Sequence, residues 1–161
     1  MTIGSIIRLQ NASAGILAEI NRLSAQLSLS QNPPLPLAMD TLIPMLKQEN
    51  MHLLAFMAPD KEKGERMIGI LTIYFVRLPT GLAAWAEDLL VDEPYRKWGV
   101  GRLLMERGIA LAEEQCARHL SLRTNAIREE ANRLYRTLGF EKKETIFYRI
   151  NLPRGKKTNS T

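Results

Sequence analysis

The sequence predicts an α/β fold of the α+β kind: a mixed, mostly antiparallel sheet of about six to seven strands flanked by about four helices, in the order βααβββαβαβ(β). Three observations predict it. Three apolar runs of strand length follow one another with hairpin-length spacers between them. The apolar period changes from strand-like to helical at Val100. A further alternating run then lies between two helical segments.

Residues 5 to 9 read as a first strand, followed by a helix in which Ile16, Ile20, Leu23 and Leu27 recur at spacings of three and four. SLSQNPPLPL, residues 28 to 37, breaks that helix with prolines and is expected to be a loop. A short second helix is expected over residues 41 to 48, with Pro44 tolerated in or near its first turn. MHLLAFMA (51 to 58), RMIGILTIYFVRL (66 to 78) and LAAWAEDLLV (82 to 91) are three consecutive antiparallel strands, joined across DKEKGE and PTG. From Val100, a stripe of Leu104, Gly108, Ala112 and Cys116 opposes Arg102, Glu106 and Glu113. HLSLRT alternates as a strand, and Ala131, Leu134, Tyr135 and Leu138 form the face of a last helix that Gly139 stops, with Phe140 packing back. Residues 142 to 152 are expected to add one or two closing strands.

At 161 residues the chain is about one domain long, expected over residues 1 to 152 with a basic, polar tail at 153 to 161. Its 45% hydrophobic and 24% charged contents are those of an ordinary soluble globular protein, and its apolar runs are too short to span a membrane. The absence of a signal-peptide pattern and a single cysteine suit a reducing cytoplasm. A net charge of +5 and a pI of 9.6 raise the question of nucleic acid. Much of the excess lies at the chain ends, however, and Arg96, Lys97 and Arg102 form a compact cluster better matched to one phosphorylated small ligand, so no nucleic-acid partner is expected. The histidines show no metal-ligand spacing, so no metal is expected either.

The densest functional signal is RKWGVG, residues 96 to 101, where a strand ends, a turn containing Pro94 follows, and Gly99 and Gly101 precede an amphipathic helix. Backbone N–H groups at such a helix start carry about half a positive charge and favour phosphate. Taken alone, the same residues read equally well as a tight turn with solvated charges. A Rossmann fingerprint needs a third glycine where Leu104 stands, and a Walker loop needs GK before Ser or Thr; neither occurs.

Arg96, Gly99 and Gly101 resemble the coenzyme loop of the GNAT superfamily, whose pattern is Arg or Gln, two residues, Gly, any residue, then Gly or Ala. The resemblance extends through WAEDLLVDEPYR before the loop and NAIREEANRLYRTLGF after it, covering about residues 85 to 140, and the strand order upstream agrees. It implies an acetyl-CoA-dependent N-acetyltransferase that moves the acetyl group directly to a primary amine of a small molecule or protein. It implies a pantetheine arm lying along the backbone of Leu89, Leu90 and Val91 like an added strand. The pyrophosphate would rest on the N–H groups of Lys97, Trp98, Gly99, Val100, Gly101 and Arg102. Asn125 and Asn132 occupy family-like positions for further coenzyme contacts.

Acetyl transfer needs a neutral amine, a polarised thioester carbonyl and a proton for the departing thiolate. Tyr135 read from periodicity alone is a core residue; the resemblance places it near the coenzyme sulfur as the general acid. Glu87 and Asp88 are adjacent carboxylates in an apolar strand, costly to bury without purpose, and alternation sends them to opposite faces. Glu87 is the candidate base, unless a bulge exchanges its role with Asp88; either one is also readable as a surface or substrate-positioning carboxylate. Cys116, on the buried stripe, is expected to be a small hydrophobe. The competing function is a catalytically weak GNAT-like domain that binds a coenzyme A species as a sensor. Homodimer formation, common among similar proteins, is compatible with the sequence, which carries no interface signature.

Overall fold

The computed structural model describes residues 4–27, 35–62 and 64–152. The elements are β1 (Ser5–Arg8), α1 (Ala14–Ser24) running into a 3-10 turn (Ala25–Leu27), α2 (Met39–Leu46), β2 (Met51–Asp60), β3 (Gly64–Leu78) and β4 (Gly81–Val91), then a second 3-10 turn (Glu93–Tyr95), α3 (Val100–Glu114), β5 (Leu120–Leu122) and α4 (Glu129–Thr137). The strands lie in chain order in one five-stranded sheet, antiparallel from β1 to β4, with β5 joined to β4 in parallel.

The period of two in the long strands sorts the core into two halves. On one face Leu54, Phe56, Ile68, Leu71 and Ile73 meet α3 through Val100, Leu104 and Met105; on the other Leu53, Ala55, Met67 and Ile70 meet α1 and α2 through Ile20, Leu23, Leu42 and Leu46. Each large side chain so buried contributes about 1.5–3 kcal/mol relative to exposure. The α1 start is capped by Ser13, whose hydroxyl accepts from the Ile16 N–H at 3.2 Å. Close seating of α3 depends on Gly108, where an added Cβ would lie 3.0 Å from the Ile73 side chain.

Three expectations are corrected. The second helix starts at Met39, so Pro44 falls in its second turn; it removes the N–H that would bond the Asp40 carbonyl, and the helix ends two residues later while Leu42 and Leu46 anchor it in the core. Cys116 lies past the end of α3, exposed, in a turn with φ 55, because the helical stripe ends at Ala112. Residues 142 to 152 form no strand, so among the described residues the sheet has five strands and not six or seven. Their apolar alternation lacks a ladder partner: the outermost strand β5 is only three residues long, and Ile146, Tyr148, Ile150 and Leu152 stay exposed. The expected tail at 153 to 161, and most of the proline loop (28 to 34), lie outside the described residues.

Candidate active site

The site forms where β4 loses its parallel neighbour. Pairing with β5 ends at Ala86 and Leu122, so from Glu87 onward the β5-facing edge of β4 carries no strand. At the same place β4 bulges: Thr72 of β3 faces Glu87 and Ile70 faces Leu90, leaving Leu71 opposite both Asp88 and Leu89, and Asp88 takes φ 52. The bulge lets both carboxylates reach one cavity of about 150 Å³, lined also by Met105, Arg123, Arg128 and Tyr135.

The two carboxylates have different surroundings. Glu87 accepts from Arg123 at 3.0 Å, and that guanidinium is held between two rings, 4.5 Å from the Phe147 centroid and 5.4 Å from that of Trp85. Asp88 has no such partner among the described residues; although the residue is exposed, the groups crowding its carboxyl partly desolvate it, and this, then the Glu87 charge, push its pKa above the ordinary carboxylate range. Tyr135 enters from α4, where Gly139 at φ 87 turns the chain so that Phe140 stacks edge-on against the Tyr135 ring, 5.9 Å between centroids. Burial raises the Tyr135 pKa, with Arg128 opposing the shift.

The glycine loop leads from this cavity to the start of α3. Gly99 is the N-cap at φ 84 and brings no capping side chain, so the N–H groups of Val100, Gly101 and Arg102 in the first turn have no side-chain acceptor among the described residues. A Cβ on Gly99 would meet nothing within 4 Å, so the N-cap itself is uncrowded. Lys97 also takes a left-handed φ of 69 and pairs with Glu130 of α4 at 3.6 Å. Trp98 is exposed, and its ring meets Tyr95 edge-on at 5.5 Å. Arg96 donates from Nε to the Val91 carbonyl at 3.3 Å, and Arg102 reaches Glu106 and the Thr137 hydroxyl. An open helix start surrounded by these cations is an arrangement that accepts a phosphorylated ligand.

Leu89 and Val91 pack toward α3 and α4, and Leu90 toward α1 and α2. Asn125 and Asn132 close the turn before α4: the Asn125 side chain accepts from the Ile127 N–H at 3.1 Å, and Asn132 donates to the Asn125 carbonyl at 2.9 Å. Neither lines the cavity.

One residue that shapes the site escaped the sequence reading. Asp92, 2% exposed, receives Arg22 at 2.8 Å, Arg66 at 3.0 Å and Gln26 at 2.7 Å, and Gln26 accepts in turn from the Glu93 N–H. Burial alone would raise the Asp92 carboxyl, but the hydrogen bonds from Gln26 and Arg22 and the charges of Arg22 and Arg66 hold it below the usual range. The hub ties α1 and the 3-10 turn after it to the start of the glycine loop. Its partners lie far apart in sequence, and only the polar break after LLV hinted at it. Among the described residues no three His, Cys, Asp or Glu side chains converge as a metal site, and no helix is long and apolar enough to cross a membrane.

Comparisons with known proteins agree with this geometry. A sequence search of curated proteins finds no significant match. Among solved structures, an aminoglycoside acetyltransferase from an uncultured soil metagenomic sample superposes with a TM-score of 0.79 at 19% identity, covering 94% of this chain and 97% of that one. A putative acetyltransferase from Agrobacterium tumefaciens gives 0.73 at 21% identity over 91% and 99%, and a transcriptional regulator from Bacillus halodurans gives 0.73 at 23% identity over 92% and 99%. At these identities the likeness establishes the fold. The model of the acetyltransferase (GNAT) family matches residues 20–140, from the second half of α1 through the bulged strand and the glycine loop to Tyr135 and the end of α4, and the chain belongs to that family.

Proposed function

We propose that the protein is an acetyl-CoA-dependent N-acetyltransferase acting directly on a primary amine. The observation that carries the reading is the bulge at Asp88, which gathers two carboxylates and a tyrosine at one cavity, on a strand whose chain continues through the glycine loop into the uncapped start of α3. Acetyl-CoA supplies the activated acetyl thioester. Lys97, Trp98, Gly99, Val100, Gly101 and Arg102 hold the pyrophosphate with backbone N–H groups, and the free edge of Leu89, Leu90 and Val91 takes the pantetheine amides as a strand would.

An N–H of the same edge polarises the acetyl carbonyl. Asp88 accepts the proton of the incoming ammonium: it has no ion-pair partner and a raised proton affinity, whereas Glu87 is committed to Arg123. The freed nitrogen lone pair forms the new C–N bond as the C–S bond breaks, Tyr135 gives its hydroxyl proton to the departing sulfur, and the acylated nitrogen passes its surplus proton to the resulting tyrosinate, which restores the acid. A tyrosine whose pKa is raised holds that proton at neutral pH and so begins each turnover in the acid form. Asp88 and Glu87 thus divide the role expected of Glu87, one as base and the other as the anchor of Arg123.

The test is thiol release from acetyl-CoA with a panel of amines, alongside calorimetric titration of the coenzyme. Binding with turnover supports the enzyme. Tight binding without turnover across the panel would favour a sensor domain, and no binding would remove the assignment altogether.

A further inference from the structure

The cavity is lined by four charged side chains, Glu87, Asp88, Arg123 and Arg128. Two of them neutralise one another, Glu87 with Arg123 at 3.0 Å. The other two, one of each sign, are open to solvent at the cavity: neither Asp88 nor Arg128 makes a side-chain hydrogen bond or ion pair to the protein among the described residues, so both are available to a ligand. Nearby charges do find partners, Lys97 with Glu130, Arg102 with Glu106, and Asp92 with Arg22 and Arg66. Arg128 sits at the start of α4, where its backbone carbonyl anchors Asn132 while its side chain lines the cavity near Tyr135.

A polycationic acceptor would bring further positive charge against Arg128, which has no carboxylate partner among the described residues, and a site selects against such a like-charge contact. A plain alkylamine would pair with Asp88 and leave Arg128 to water, whereas an acceptor that also carries an anion would pair with both. At about 150 Å³ the cavity has room for about five waters at ~30 Å³ each, enough for the head of a small acceptor. We propose that the acceptor is an amine that also carries a carboxylate or phosphate, its ammonium directed to Asp88 and its anionic group to Arg128. This inference rests on the acetyltransferase reading above and names the substrate class for the same site.

The experiment measures thiol release from acetyl-CoA with matched acceptors: amino acids against their carboxamides, phosphoethanolamine against ethanolamine, and spermidine as an all-cationic probe. Wild-type protein is compared with R128Q and R128K. The anionic member of a pair is expected to have a kcat/KM higher by about tenfold or more, as a charge-assisted hydrogen bond provides. In R128Q the ratio within the pair should fall to near one without a change in the KM for acetyl-CoA, and R128K should keep part of the preference. Preference for the carboxamides, ethanolamine or spermidine would overturn the inference while leaving the enzyme assignment standing. An equal loss for both members of each pair, or a raised acetyl-CoA KM, would assign Arg128 to Tyr135 or to the coenzyme and overturn it too. If the coenzyme binds by calorimetry and no amine is acetylated, the enzyme assignment fails, and this inference with it.

Discussion

Arg123 and Glu87 form an ion pair of 3.0 Å at the mouth of the cavity, and this pair distinguishes two carboxylates that are adjacent in sequence. Glu87 is engaged by the Arg123 guanidinium, whereas Asp88 has no ion-pair partner among the described residues and its carboxyl is pushed above the ordinary carboxylate range.

The substitution Asp88→Asn should therefore remove the acidic limb of the kcat/KM profile and lower turnover by about 10²-fold or more, the usual scale for a general base. Glu87→Gln should lower turnover less and act through the position of Arg123. The sign of the stability effect follows from the raised folded-state value of Asp88: the native state holds this proton more tightly, so that contribution is complete below the unfolded carboxylate range and is lost as pH rises through the folded value. Asp88→Asn should thus leave stability at pH 7 unchanged or raised, which urea denaturation checks.

Asp92 carries the opposite sign. Its carboxyl is depressed, so its contribution is present above the unfolded carboxylate range and is lost as pH falls through the folded value. Asp92→Ala should cost about 2–4 kcal/mol in urea denaturation at pH 7, below the upper range for a buried pair because Arg22 and Arg66 retain some contact with water. The difference from wild type should shrink as the pH is lowered toward and below the carboxylate range.

The two loop glycines should separate under substitution. Gly99 needs its left-handed φ of 84, so even Gly99→Ala should cost about 1 kcal/mol in strain and weaken acetyl-CoA binding in calorimetry. At Gly101 a Cβ would meet Val91 at 3.5 Å, an ordinary contact, so Gly101→Ala should be tolerated while Gly101→Leu is not.

Gly108 gives a prediction about the fold alone. Its added Cβ would lie 3.0 Å from Ile73 and 3.1 Å from Leu71, both in the core, so Gly108→Ala should overpack the seat of α3 and cost about 1–3 kcal/mol by thermal or chemical denaturation.

Periodicity made the long elements readable: β2, β3 and β4 lie within about two residues of their expected bounds, and the stripe from Val100 to Ala112 is buried as its spacing requires. It could not show where a helix starts when the cap is Ala38 with no side-chain bond, which moved Pro44 into the second turn of α2. Nor could it tell a strand from a strand-like segment without a partner, because the apolar alternation of residues 142 to 152 says nothing about hydrogen bonds that a three-residue neighbour does not offer. The glycine loop, the carboxylates and Tyr135 were legible as residues. The resemblance also raised a bulge that would exchange Glu87 with Asp88; what spacing alone did not show is that the single extra residue of the β4 bulge brings both carboxylates to one cavity with Tyr135, and Asp92 was hidden by partners drawn from α1 and β3.

The central claim is that the tyrosine of α4 protonates the thiolate of acetyl-CoA during transfer to an amine. It is tested most directly by comparing wild type and Tyr135→Phe in steady-state thiol release against an accepted amine, with coenzyme affinity measured in parallel. The account predicts a fall in kcat of about 10²-fold or more with nearly unchanged coenzyme affinity. Equal turnover by the two proteins would contradict it and return Tyr135 to the packing of the α4 face against Phe140.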